Sequence, residues 1–245
     1  MIQEIRIKNY LSFRDEVVLS FEATKDTTFE ECQVVNVTPK VRLLRFALIY
    51  GANASGKSNL LNAMDFLRGF WFDKKSDIDE ETGVVPFLLD TETPNEPSEF
   101  NIKFFVGDKR YWYALVLDDK QVIKEDLYVY NSVQPSLVFS RKLDGTASLI
   151  KLNASLVKAN ATIVEQLNVK CLSNMSFFAA RNQVNCSLAY IDEVRNWMKN
   201  NMMPIIEPGT RMFEYAGKQM EKNAELKAYI LDFVHKADYN ITDVY

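Results

Sequence analysis

The part of this sequence that could do chemistry lies between residues 46 and 61. Two glycines stand five positions apart there, and Lys and Ser directly follow the second one, which is the pattern of a phosphate-binding P-loop. Gly51 and Gly56 let the backbone turn tightly and bring its N–H groups up to phosphate oxygens, where a Cβ would collide. Lys57 supplies a positive charge for β- and γ-phosphates, and the Ser58 hydroxyl can ligate Mg²⁺. The predicted nucleotide-binding residues are Gly51, Asn53, Ala54, Ser55, Gly56, Lys57, Ser58 and Asn59.

The residues on either side of the loop predict the elements that position it. Residues 44–50 are an apolar run of strand length, which predicts a strand buried on both faces of a parallel sheet. After the loop, apolar residues recur at helical spacing, so a helix should begin at Ser58 with its N-terminal dipole directed at the phosphates. This order favours a phosphate site over a glycine-rich turn that only reverses the chain. The apolar positions of the helix are Leu60, Met64, Leu67 and Trp71.

Composition limits the class of protein. A chain of 245 residues with 47% hydrophobic residues can bury a large core, and its net charge of −4 gives no overall basic footprint for nucleic acid. No apolar run approaches the ~20 residues of a membrane span, and the N-terminus lacks signal-peptide character, so a cytoplasmic protein with no membrane association is expected. Cys32, Cys171 and Cys186 should be reduced thiols. With His235 as the only histidine, zinc hydrolysis and Ser-His-Asp catalysis lack their usual parts.

An N-terminal β-hairpin precedes the loop. Ile5 and Ile7 alternate with polar residues, a second alternating run covers residues 17–21, and a hairpin laid beside the nucleotide site is predicted. The segment that joins these strands could bring Phe13 or Arg14 to a bound base or phosphate. Packing of Phe13 into the hairpin is the favoured alternative.

An antiparallel meander follows the P-loop helix. Alternating runs between residues 100 and 151, separated by turns such as Gly107-Asp108 and Asp144-Gly145, predict its strands. Its many aromatic residues indicate a half-buried sheet rather than nucleobase stacking. The polar segment 23–42 should run over the surface, and the acidic stretch 73–81 reads as a solvated loop rather than a metal site.

The apolar period changes to 3.6 beyond residue 153, which predicts helices. Three domains are expected. Residues 1–152 would form a nucleotide-binding lobe with the P-loop and the antiparallel sheet, residues 153–236 a helical insertion or lid, and residues 237–245 the start of a returning strand. The predicted helical positions are Leu156, Ile163, Val164 and Leu167, then Leu188, Ile191, Val194 and Met198, and finally Leu226, Ile230, Phe233 and Val234.

Further features distinguish among P-loop proteins. No Asn-Lys-x-Asp guanine reader is present, which argues against a GTPase. A small-molecule kinase usually continues with a parallel βα array, whereas an antiparallel sheet is inserted here. This order suits an ATPase whose two nucleotide-binding lobes are separated by inserted material, so ATP and Mg²⁺ are the expected cofactors.

Several motifs in order resemble a known family. Residues 5–13, the P-loop region 50–60, Val85-Pro86-Phe87 and residues 100–104 are similar to the N-terminal lobe of ABC-type ATPases of the RecF, SMC and OLD group. The nearest likeness is to prokaryotic AAA-family, RloA-like ATPases of phage-defence and abortive-infection operons. The resemblance implies an α/β P-loop NTPase lobe. It also implies a homodimer or higher homo-oligomer that sandwiches ATP head to tail and hydrolyses it to drive or gate a separate effector protein.

The catalytic half of that family pattern is missing. Residues 189–193 only imitate a Walker B strand, because they fall inside a helical pattern, and residues 172–176 lack the glycines of a signature motif. Asp232 also lies in a helical stretch. No catalytic residue is therefore identified, and the chain is expected to stop before its catalytic lobe and to bind Mg-ATP with little or no turnover. A small-molecule kinase and a nucleotide-regulated nucleic-acid-binding module remain alternatives, and nucleic-acid binding is left open.

Overall fold

A computed structural model describes residues 1–207 and 209–237. The chain divides into two compact units, Met1–Pro204 and Ile205–Tyr245. Pro208 and residues 238–245 are outside the described part, so the predicted returning strand falls almost wholly beyond it. The division between units falls within the predicted helical insertion, since three of its helices share the first unit with the sheet.

The first unit contains nine strands and five α-helices in its described residues. The strands are β1 (Ile2–Lys8), β2 (Val17–Ser20), β3 (Val34–Thr38), β4 (Val41–Leu44), β5 (Ser98–Val106), β6 (Lys109–Leu117), β7 (Val122–Tyr130), β8 (Ser136–Asp144) and β9 (Ala147–Leu152). The helices are α1 (Glu30–Gln33), α2 (Lys57–Phe70), α3 (Ala161–Lys170), α4 (Phe177–Arg181) and α5 (Ala189–Asn201).

A seven-stranded sheet organises this unit. Its strand order is β2-β1-β5-β6-β7-β8-β9, and every neighbouring pair is antiparallel. The predicted N-terminal hairpin is confirmed as β1 and β2, and the predicted meander as β5 to β9. Both follow from alternation of side chains, because a strand with one face in the core buries every second residue. The fold is therefore α/β with a large antiparallel sheet.

Helices cover one face of the sheet. Phe66 of α2 stacks on Phe100 of β5 with ring centroids 5.2 Å apart, and Trp197 of α5 stacks on Phe104 at 4.3 Å. Trp71, which follows α2, meets Tyr113 of β6 edge-on at 5.7 Å. The helical spacing that predicted α2 is confirmed, since its inner face buries Leu60, Ala63, Leu67 and Phe70.

A fully buried ion pair ties the sheet to the segment before α4. Arg141 of β8 lies 3.3 Å from the Glu125 carboxylate, and neither side chain is exposed. The guanidinium also donates to the carbonyl oxygens of Leu172 (2.8 Å) and Met175 (2.6 Å), while Glu125 accepts from the Phe177 N–H at 2.7 Å. Charge-assisted bonds of this kind satisfy the groups that burial has stripped of water. Residues 172–176 are thus structural.

The segment before the P-loop differs from its prediction in two ways. Residues 23–42, expected to run over the surface, include α1 and a small antiparallel sheet of β3 and β4. The strand predicted for residues 44–50 is wrong, because β4 ends at Leu44 and residues 46–50 form no strand. A strand needs a hydrogen-bonding neighbour, and no described strand pairs with these residues. They lie exposed: Phe46 at 54%, Leu48 at 82%, Ile49 at 41% and Tyr50 at 93%.

The second unit contains two helices, α6 (Phe213–Lys222) and α7 (Ala224–Lys236). Asn223 caps α7, because its side-chain oxygen accepts from the Leu226 N–H at 3.0 Å. The predicted last helix is confirmed, although Phe233 is 62% exposed rather than on the packed face. Among the described residues, no helix combines the length and apolar character that a membrane crossing requires.

Candidate nucleotide-binding site

The loop between residues 51 and 56 leads directly into α2. Gly56 is the residue before the helix and has φ +87°, a left-handed conformation that glycine adopts without strain. Ala54 also has positive φ, at +62°. The chain therefore bends sharply before Lys57, where the helix begins one residue earlier than predicted.

Lys57 spans the loop. Its Nζ donates to the carbonyl oxygens of Gly51 (3.0 Å) and Ala52 (2.6 Å), and it lies 3.4 Å from Ser55 Oγ. The ammonium group is thus held within the curve of the loop and is not packed among apolar side chains. An anion that entered this curve would find the positive charge in place.

The helix start presents free backbone donors. In the described structure, the N–H groups of residues 56–59 have no protein acceptor, as is usual for the first turn of a helix. Together with the positive end of the helix dipole, they form an arrangement suited to phosphate oxygens. Ser58 is exposed at this end of α2, where its hydroxyl is accessible to a metal ion bound to those oxygens.

The hairpin turn packs against the loop. A Cβ placed on Gly56 would lie 2.9 Å from Phe13 Cε1 and 3.0 Å from Ser12 Oγ. Asn59, predicted as a nucleotide-binding residue, donates from its side-chain nitrogen to Ser12 Oγ at 2.8 Å. Phe13 thus forms a wall beside the loop, and the hairpin turn lies next to the predicted P-loop segment. Arg14 instead pairs with Asp15 at 3.1 Å, and this carboxylate raises the pKa of the guanidinium.

A buried asparagine fastens this turn. Asn9 is 1% exposed and has φ +51°; its side chain donates to the carbonyls of Thr93 and Glu96, both at 2.8 Å, and accepts from the Phe87 N–H at 2.9 Å. The turn that contacts the P-loop is therefore clamped to the connection before β5. This role could not be recognised in the sequence, because an asparagine in a turn carries no signal of its distant partners.

Residues 189–193, which resemble a Walker B strand in sequence, are helical, as predicted. Asp192 and Glu193 lie in α5; Asp192 pairs with Arg181 at 2.8 Å, and Glu193 pairs with Lys109 at 2.9 Å. Glu193 also accepts from the Tyr111 hydroxyl at 3.0 Å. Both carboxylates hold α5 in place rather than ending a strand at the loop.

The other candidate residues from the sequence do not come together as a site in the described part of the chain. No group of three or more potential metal ligands occurs among the described residues. The acidic stretch 73–81 forms neither helix nor strand, as predicted for a loop. Its Glu80 carboxylate accepts from the N–H groups of Ser76 and Asp77. Asp232 pairs with Lys236 within α7, His235 is exposed, and the three cysteines are free thiols.

The fold and the loop together indicate a nucleotide-binding protein with an α/β architecture. Residues 46–151 match the protein family described as "AAA domain, putative AbiEii toxin, Type IV TA system". The matched part includes the candidate loop, α2 and the meander, and it is less than half of the chain. No curated protein matches the sequence. Over the matched part, the chain is thus similar to AAA-type ATPases.

Proposed function

We propose that this chain is the ATP-binding part of an ABC-type P-loop ATPase of the RecF, SMC and OLD group, related to RloA-like defence ATPases. The observation that carries the proposal is the bend at residues 51–58, which holds the Lys57 ammonium beside a helix start whose backbone N–H groups are free. This arrangement suits a triphosphate better than a neutral ligand, because it combines a cation with several backbone donors that have no protein acceptor.

Each residue has a role in binding. Lys57 exchanges its loop carbonyls for β- and γ-phosphate oxygens, and the N–H groups of residues 56–59 bind the remaining oxygens. Ser58 would hold Mg²⁺, and the bound ion would offset phosphate charge. Phe13 lines the site beside Gly56, where it can contact the base or the ribose.

Hydrolysis needs groups that the described residues do not bring to this loop. Phosphoryl transfer requires a residue that orients the attacking water. The pair that resembles a Walker B motif, Asp192 and Glu193, is instead engaged with Arg181 and Lys109. A second lobe supplies these groups and docks on residues 46–50. This segment is apolar, exposed and of strand length, so a strand of the second lobe can pair with it. Two complete copies then sandwich ATP head to tail and gate an effector, in phage defence or a related toxin system.

Binding is tested by calorimetric titration of the chain with ATP and MgCl₂. Lys57→Ala should weaken the affinity by about tenfold or more, because it removes charge-assisted bonds to the phosphates. Lys74→Ala, which removes an exposed lysine elsewhere, should bind as the wild type does. Absence of binding by the wild type, or equal affinity of the two variants, would refute the proposed site.

Turnover is tested separately by measuring phosphate release across a range of protein concentrations. The isolated chain should release phosphate slowly or not at all, although it binds ATP. Rapid turnover, in proportion to protein concentration, would show that the chain already holds a complete catalytic site.

A further inference from the structure

The face of the seven-stranded sheet that the helices leave uncovered has an unusual composition. We call it the outer face. Strand register places its residues in rows that run across the sheet. The rows are Glu4, Lys103, Trp112, Tyr128 and Leu137; Arg6, Asn101, Ala114, Asp126, Ser140 and Lys151; and Lys8, Glu99, Val116, Lys124, Lys142 and Leu149, with the pair Arg110 and Tyr130 beyond the first row.

Positive charge is concentrated on this face, although the chain as a whole carries a net charge of −4. The rows and the Arg110–Tyr130 pair contain seven cations and three carboxylates, with Glu16 and Asp144 at their margins. The carboxylates are already used: Glu4 pairs with Arg6 and Lys103, Glu99 with Lys8, and Asp126 with Lys124.

Two exposed lysines on neighbouring strands are not paired with these carboxylates. In the described part of the chain, Lys142 and Lys151 have no carboxylate partner. They lie diagonally across the β8–β9 pair, since Lys142 faces Leu149 and Lys151 faces Ser140. Such diagonal neighbours are about 7–8 Å apart at the backbone. Two free cations at this spacing fit successive charges of a polyanion better than one small anion.

Aromatic rings lie on the same face, in the row next to that of Lys151 and two rows from Lys142. Trp112 and Tyr128 face each other across β6 and β7 and are stacked, with centroids 4.6 Å apart. The Arg110 guanidinium lies 4.4 Å from the centre of the Tyr130 ring. Trp112 Nε1 donates to Asn101 at 3.1 Å, so the indole is held in one orientation. We call Trp112, Tyr128, Tyr130, Arg110, Lys142 and Lys151 the aromatic–basic patch.

We propose that the aromatic–basic patch binds single-stranded nucleic acid. Planar rings fixed on a sheet offer stacking surfaces to unpaired bases, and the lysines and arginine elsewhere on the same face contact the backbone phosphates along the strand. A duplex fits less well, because its bases are stacked on each other and the described sheet presents no helix or ribbon that could enter a groove. The proposal does not depend on the nucleotide site, which lies at the start of α2.

The test uses the intact chain without ATP and measures fluorescence anisotropy with a labelled oligodeoxythymidine. Binding should be detectable at low salt and should weaken steeply as salt rises. Lys142→Glu with Lys151→Glu should reduce the affinity by about tenfold or more and make the salt dependence shallower. The matched control is Lys158→Glu with Lys199→Glu, the same charge change at exposed lysines outside the rows, which should have little effect.

Stacking is tested by Trp112→Leu, which should weaken binding by about fivefold or more. Thermal unfolding identifies any variant whose fold has changed, and Tyr130→Leu then serves as the second aromatic test. Lys57→Ala should bind the oligonucleotide as the wild type does. Absence of binding at low salt, equal loss in both double lysine variants, or tighter binding of a duplex of the same length would overturn the proposal.

Discussion

At the residue scale, Gly56 joins the two structural requirements of the proposed site. It has φ +87°, and the space that a Cβ would occupy is taken by Phe13 and Ser12. The glycine therefore permits both the bend of the loop and the approach of the hairpin turn.

Gly56→Ala should abolish ATP binding and lower the free energy of unfolding by roughly 1–2 kcal/mol from backbone strain alone. Gly107→Ala is the control, because Gly107 also has positive φ, at +59°, but a Cβ there meets nothing within 4 Å. The control should lose stability and keep ATP affinity, as measured by denaturant unfolding and calorimetry. If Gly56→Ala kept wild-type affinity, the close contact with Phe13 would have no importance for binding.

The buried ion pair of Arg141 and Glu125 is a second feature at the residue scale. Burial raises the pKa of the Glu125 carboxyl, while the Arg141 guanidinium opposes that shift. Removing one partner leaves the other buried without its counter-charge, which is costly in a medium of low dielectric.

Arg141→Met or Glu125→Gln should each lower the unfolding free energy by about 3–5 kcal/mol, and the double variant by less than their sum. Lys142→Met, at the exposed neighbour on β8, should change stability little. Urea unfolding of the four variants measures the coupling. Additive losses would mean that the two side chains contribute independently.

At the element scale, hydrogen bonds link the hairpin turn to both the P-loop region and the connection before β5. Asn9 clamps the turn to the carbonyls of Thr93 and Glu96, and Ser12 accepts from Asn59 on α2. Movement of the turn would therefore also displace the start of α2.

Asn9→Gly should lower the unfolding free energy by roughly 1–3 kcal/mol, because it removes side-chain bonds to buried partners. Asn9→Ala should cost about 1 kcal/mol more, since it also strains the backbone at φ +51°. Both variants should speed proteolysis between residues 84 and 97, followed by mass spectrometry. Unchanged cleavage in both would show that the connection is held by other contacts.

At the scale of the whole molecule, residues 46–50 dominate the exposed apolar surface near the candidate site. Phe46, Leu48, Ile49 and Tyr50 are all exposed. Contiguous apolar surface of this kind marks a region that another protein segment covers.

Sedimentation velocity should show concentration-dependent association of the isolated chain, and Leu48→Lys should weaken it. Val169→Lys provides the control, since Val169 is 72% exposed on α3, away from this segment. A chain that stays monomeric at all concentrations, or equal effects of both substitutions, would exclude residues 46–50 as the associating surface.

Local patterns predicted much of this molecule. The hairpin, the meander, α2, α5 and α7 were recognised because alternation of period 2 or 3.6 reports which face of an element is buried. The same reasoning missed β3 and β4, because segment 23–42 was judged by its mostly polar overall composition, although the two strands themselves are largely Val and Leu. It also failed for residues 44–50, because an apolar run shows that burial is favourable but not that a neighbouring strand is present.

The sequence by itself determined the pattern of the loop, since the roles proposed for Gly51, Gly56, Lys57 and Ser58 depend on covalent spacing of only a few residues. Only the tertiary structure decided that Phe13 lies against Gly56, that Arg141 and Glu125 form a buried pair, and that Trp112 and Tyr128 share an open face with free lysines. Those relations join residues far apart in the chain. They depend on strand order and register, which are set by the packing energy of the whole sheet rather than by any local pattern.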